Sequence, residues 1–177
     1  MINNEQRIAW GITGSGHYLK ESMEIVEEMN NVDLYLSKAG EEVLKWYDYD
    51  LNSYKKNGIK IFRDVTASSA PVSMLYEGVY KCLVVSPATS NTIAQMAYGI
   101  SDNLISNMFA QAGKCRIHSI VFACDTEPTV ITQAPKKLVT LYPREIELDN
   151  FNKLKTFKNV DVVDNVKNLK KALKKFK

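Results

Sequence analysis

The sequence predicts an α/β protein with a three-layer Rossmann-like (flavodoxin-like) fold and a mainly parallel, doubly wound sheet. Three observations carry this. Short apolar runs alternate with segments of helical period along the chain. The runs are followed by Gly, Ser, Thr or Pro, the residues of strand-end turns. The chain opens as strand, glycine-rich turn and helix.

In order, Ile8–Thr13 reads as a strand and Gly14-Ser15-Gly16 breaks it. From His17 to Met29, the apolar residues Leu19, Met23, Val26 and Met29 mark one helical face. Val32–Leu36 is a second strand, and Ser37 then either caps a helix over Glu41–Tyr47 or contacts a ligand. Tyr49–Gly58 reads as an irregular excursion, Lys60–Phe62 as a short strand and Thr66–Pro71 as a loop. Val72–Glu77 predicts a short helix ended by Gly78.

Cys82–Val85 is the central strand, with a helix starting near Asn91 and running to Tyr98. Asp102 can cap a further helix over Asn103–Ala112, ended by Gly113. Its small residues predict close packing inside the protein or against another subunit. His118–Cys124 reads as a buried strand, and Asp125–Pro128 as a strand-end loop on the ligand side. Val139–Tyr142 alternates as a strand, Leu148–Phe157 reads as a helix and Val160–Val163 as the last strand. A basic helix closes the chain at about 166–177, with Leu169, Leu173 and Phe176 on its apolar face. No repeat or linker divides residues 1–177, so a single domain is expected.

Composition narrows the function classes. The net charge of +3 is small and partly concentrated in the last helix, which lacks the aromatic interleaving of a nucleic-acid surface. No apolar run approaches a membrane span, and the start of the chain lacks a signal peptide's apolar segment, so a cytoplasmic protein is expected. Three dispersed cysteines exclude a four-cysteine iron–sulfur cluster held by one chain, and a metal site has little support.

Pro87-Ala88-Thr89-Ser90-Asn91-Thr92 points most strongly to a ligand. It links the central strand to a helix, where open α/β sheets bind. The helix N-terminus favours an anion, Ser and Thr add donors, and Asn91 can read a ring edge. Gly11-Ile12-Thr13-Gly14-Ser15-Gly16 has the spacing G-x-x-G-x-G, neither that of the triphosphate loop nor that of the dinucleotide fingerprint. No acid closes the second strand to hold a ribose. A mononucleotide with one terminal phosphate fits better than NAD.

Together the two motifs resemble those of the flavoprotein family of homo-oligomeric FMN-containing cysteine decarboxylases. The stretch Ile93–Leu104, with Asp102 and Asn103, continues the likeness, which covers most of residues 7–165. Within that family, Ala9–His17, Leu36–Leu44 and Arg144–Asn150 look most like archaeal-type flavoproteins, which include dihydromethanopterin-reductase-like and ferredoxin-linked members.

The resemblance implies FMN as cofactor and a trimer or dodecamer with flavin near a subunit interface. It implies a first loop of Thr13, Gly14, Ser15 and Gly16, closed by Ser37. Pro87, Ala88, Thr89, Ser90 and Asn91 would hold the phosphate and ring edge, with Arg144 a further anion contact.

One departure matters. Decarboxylases of the family carry a histidine in an H-I-x-L segment before the central strand, where this chain reads Ser69-Ala70-Pro71-Val72-Ser73-Met74-Leu75. A cysteine decarboxylase is therefore not expected. The resemblance favours an FMN redox protein that takes electrons from a ferredoxin-like carrier or reduced nicotinamide and reduces a small-molecule or protein acceptor. The alternatives are an FMN-dependent lyase or prenyl-transferring relative, and an accessory flavoprotein subunit as in dipicolinate synthase.

Overall fold

The computed structural model describes residues 6–66 and 70–176. The chain runs β1 (Arg7–Ile12), α1 (Leu19–Glu27), β2 (Val32–Leu36), α2 (Lys38–Trp46), α3 (Leu51–Lys56) and β3 (Ile61–Arg63). After a 3-10 turn at Ala70–Leu75 follow β4 (Tyr80–Ala88), α4 (Ser90–Tyr98), α5 (Leu104–Lys114) and β5 (His118–Ala123). A hairpin of β6 (Val130–Gln133) and β7 (Leu138–Leu141) precedes α6 (Glu145–Leu154), β8 (Val160–Val163) and α7 (Val166–Leu173).

Six strands form one sheet in the order β3-β2-β1-β4-β5-β8, and every pairing is parallel. The chain builds outward from β1 to β3, returns to place β4 beside β1, and builds outward the other way. The switch point therefore lies between β1 and β4, where such a sheet opens a crevice at the strands' carboxyl ends.

Alternation along the strands makes two cores. Ile8, Trp10 and Ile12 pack with Val84 and Leu34 under α1, α2 and α7. Ala9, Tyr35, Leu83 and Val85 pack on the other face with residues of α4, α5 and α6. Both faces of the sheet are covered, as an all-parallel sheet requires. At the sheet's amino end the buried Asp33 carboxylate accepts from Arg7 at 2.6 and 2.8 Å and from the Tyr80 hydroxyl at 3.0 Å, so its charge is paired.

Several elements differ from the sequence expectation. The excursion after Tyr49 contains α3, whose N-cap Asp50 accepts from Asn52 N–H at 2.9 Å. Asn103, rather than Asp102, caps α5, in a reciprocal box with Ser106. That helix passes through Gly113 to Lys114, because a helical glycine is tolerated where neighbouring packing holds the turn. α6 begins at Glu145, three residues before the expected start, since Glu147 reaches back to the Arg144 N–H at 2.6 Å. Leu138–Leu141 joins an antiparallel hairpin rather than the main sheet. The final helix ends at Leu173 and tightens into a 3-10 turn over Lys174–Phe176. In the expected loop Thr66–Pro71, residues 67–69 lie outside the described residues, as do residues 1–5 and 177.

Candidate functional site

The first loop leaves β1 at the switch point, and Thr13 ties it to the second. The Thr13 hydroxyl is buried; it donates to the Pro87 carbonyl at 2.7 Å and accepts from the Thr89 N–H at 2.9 Å. Its one proton is spent within the protein, which makes Thr13 a clamp between the two motifs. Close packing explains the glycines. A Cβ on Gly14 would sit 2.6 Å from the Ala39 Cβ, and one on Gly16 would sit 2.2 Å from the Tyr47 hydroxyl oxygen. The Ser15 hydroxyl accepts from the His17 N–H at 3.1 Å and from the Cys124 thiol at 3.2 Å.

The second loop leaves β4 and starts α4. Pro87 and Ala88 are buried and shape its floor. Thr89 is the N-cap, its hydroxyl accepting from the Thr92 N–H at 3.2 Å. Ser90 and Asn91 make no side-chain hydrogen bond among the described residues, and Asn91 is exposed. The motif thus divides into residues that build the turn and residues left to a ligand.

Ser37 caps α2 by accepting from the Gly40 N–H at 2.9 Å. Its neighbour Lys38 opens the same helix. The N-termini of α2 and α4 line one cavity of about 660 Å³, together with Thr13 and Gly14. That volume lies within the usual range for small-molecule sites. Asp64, Gln95, Asp102 and Asn103 line the same cavity. Gln95 and Asn103 donate to Asp102 at 2.8 and 3.1 Å, and the Leu104 N–H donates to Asp64 at 3.2 Å.

A second compartment of about 370 Å³ opens from the same loops, sharing Gly14, Thr89 and Ser90 with the first. Ser15, Gly16, His17 and Asp125 line it, and Tyr47 and the β6–β7 hairpin form its wall. The Tyr47 hydroxyl donates to the Gln133 carbonyl at 2.8 Å and so attaches the hairpin to α2. Beneath Ser15, burial pushes the Cys124 thiol up to about 12, leaving it protonated.

The structure brings together Thr13, Gly14, Ser15, Gly16, Ser37, Thr89, Ser90 and Asn91 around the two compartments, with Pro87 and Ala88 underneath. Arg144 is not among their lining residues. Its exposed guanidinium pairs with Glu147 at 2.6 and 2.9 Å at the start of α6. Sequence reasoning did not assign Lys38, Asp64 or Gln95 to the site. Lys38 had a usable signal, since it follows a strand-end serine. Asp64 had none, because the short β3 gave no firm strand end.

The Flavoprotein family model matches residues 2–174. The chain belongs to the Flavoprotein family. Its structure superposes on that of Burkholderia xenovorans DmrB, solved in complex with FMN and described as a cubic protein cage for redox transfer. The TM-score is 0.90 at 50% identity, covering 98% of this chain and 96% of that one. An uncharacterized protein of Methanocaldococcus jannaschii is 38% identical over 96% of this chain and 95% of its own length. The dihydromethanopterin reductase (acceptor) of Methanosarcina mazei is 39% identical over 73% of this chain, and the match spans 59% of that protein. Among the described residues, no helix of this Flavoprotein is long and apolar enough to cross a membrane.

Proposed function

We propose that this chain binds FMN in the cleft and works as a homo-oligomeric redox flavoprotein that reduces a small heterocyclic acceptor of the dihydropterin type. One observation carries the cofactor reading: two helix N-termini, those of α2 and α4, converge on a single cavity at the switch point. Their free N–H groups and the partial positive charge at each helix end suit a phosphate. Lys38 adds a full positive charge beside them. The glycines let the first loop pack tightly against Ala39 and Tyr47, and Ser90 and Asn91 have hydrogen-bonding capacity to spare. The residues present therefore fit a flavin mononucleotide. The FMN-bound DmrB relative and the dihydromethanopterin reductases support the same reading.

Bound FMN would supply two-electron redox chemistry; the rest falls to the chain. The N-termini of α2 and α4 hold the phosphate, with Lys38. Thr13 keeps the two loops at a fixed separation. Asn91, Asp102 and Gln95 offer donors and acceptors to ring edges. The second compartment, walled by Tyr47 and the hairpin, receives the acceptor and limits water.

Homo-oligomerisation is supported by the large exposed side chains Tyr98, Ile100, Tyr142 and Ile146 on and beside α4 and α6, which pack against one another. A trimer-based assembly, including a dodecamer, remains the expected form. A ferredoxin-like carrier is a candidate electron donor.

The test is anaerobic. Protein loaded with FMN and reduced by dithionite should recover its oxidised absorbance when a 7,8-dihydropterin is added. Persistence of the reduced spectrum with dihydropterin, alongside recovery with air, would remove the pterin-type acceptor while leaving the flavin reading in place.

A further inference from the structure

Resting on the reading of the cleft as an FMN redox site, we propose that His17 is its proton-transfer residue: through Nε2 it gives the acceptor the proton that accompanies the electron pair. His17 lines the second compartment, beside the loops that end β1 and β4. Its ring stacks on Tyr18 at 3.8 Å, and Tyr18 stacks on Phe122 at 4.4 Å. Its main chain is fixed as well, since its N–H donates to the Ser15 hydroxyl and its carbonyl accepts from the Cys124 thiol at 3.6 Å.

A ring held this firmly leaves its own nitrogens unbonded. Nδ1 is buried with no partner among the described residues, and Nε2 makes no hydrogen bond to them either. Buried polar atoms without partners are uncommon, and they concentrate where a ligand or a reaction completes them. With Nδ1 turned into the protein, Nε2 is the nitrogen available for exchange with the compartment.

The surrounding groups single out this imidazole. Glu21 on α1 and Asp125 after β5 bear on it electrostatically, Tyr18 stacks on it, the Cys124 thiol meets the His17 main-chain carbonyl, and Tyr47, just after α2, lines the same compartment. Burial lowers the His17 pKa, and Asp125 and Glu21 draw it back up without fully restoring it. Burial raises both tyrosines, and the Cys124 thiol is held at about 12. Among the described lining groups, His17 is the one suited to exchanging a proton near neutral pH.

The step balances. Reducing a C=N or C=O acceptor places a hydride on carbon, supplied by reduced flavin, and a proton on nitrogen or oxygen. That proton comes from the Nε2–H bond of the protonated imidazolium, whose electrons remain on Nε2 and leave the ring neutral. Solvent then reprotonates the ring, and the flavin is left oxidised.

The test uses FMN-loaded wild type and His17→Gln, each first titrated with FMN. After anaerobic reduction, stopped-flow reoxidation is followed with menadione, which takes protons, and with ferricyanide, which takes electrons alone. The ratio of the two rates should fall about 100-fold in His17→Gln, and the menadione rate should lose its pH dependence between about pH 5 and 8. An unchanged ratio in a variant that binds FMN would overturn the proposal while sparing the cofactor reading. A wild type that takes up no FMN would end both. A second readout needs no turnover and no folded His17→Gln. In wild-type protein, with signals assigned through His118→Gln, the His17 NMR titration midpoint should move when the flavin is reduced. The same midpoint in both redox states would contradict the assignment.

Discussion

Thr13 and Pro87, 74 positions apart, are joined by a 2.7 Å hydrogen bond from the threonine hydroxyl to the proline carbonyl. The same oxygen accepts from the Thr89 N–H at 2.9 Å, so one side chain sets the distance between the cleft's two loops. Thr13→Val keeps the shape and strands two backbone groups, costing about 2 kcal/mol. The melting temperature should fall by about 4–8 °C. FMN affinity should drop with it, and Thr13→Ser should restore both in differential scanning fluorimetry and flavin titration.

The glycines separate by what a methyl group would strike. On Gly40 a Cβ would lie 2.3 Å from the Ile12 carbonyl oxygen, which is backbone at the end of a core strand and cannot step aside. Gly40→Ala should destabilise by about 2 kcal/mol or more. On Gly16 the obstacle is the tip of Tyr47, which can turn away. Gly16→Ala should therefore cost less than about 1 kcal/mol while releasing the hairpin held by Gln133. Denaturant midpoints compare the two stabilities, and proteolysis within the hairpin reports the release.

Asn91 gives the opposite pattern. It is exposed and makes no side-chain hydrogen bond among the described residues. Asn91→Ala should leave the melting temperature within about 1 °C, as surface substitutions usually do. It should weaken FMN binding about 10-fold, the value of one good hydrogen bond. Equal FMN affinity would remove Asn91 from the site.

Acid should act through His17. Its folded pKa lies below the ordinary histidine value because burial disfavours the charged ring. As pH falls below about 6.5, the unfolded chain takes up the proton first and the folded chain does not. Stability tied to this residue is therefore present above that pH and is lost as pH falls toward the folded pKa. Urea midpoints at about pH 7.5 and 5.5 should differ more in wild type than in His17→Gln.

The fold was legible where periodicity was strong. Val32–Leu36 and Val160–Val163 have the limits read from their apolar runs. Helix ends were less legible, since caps such as Asn103 and the Arg144–Glu147 pair act through side chains that any polar stretch could supply. The hairpin was half visible, because Val130–Gln133 is too short and polar to stand out without its partner strand. At the site, both loop motifs were readable. Which residues build the loops and which remain free was not, because that division depends on contacts such as Thr13 to Pro87.

The central claim is that two helix N-termini hold a phosphate in this cleft, and paired titrations of apo-protein with FMN and riboflavin test it most directly. FMN should bind at least about 100-fold more tightly, a difference of about 2.7 kcal/mol carried by the phosphate. Equal affinities, or no uptake of either flavin, would contradict the account.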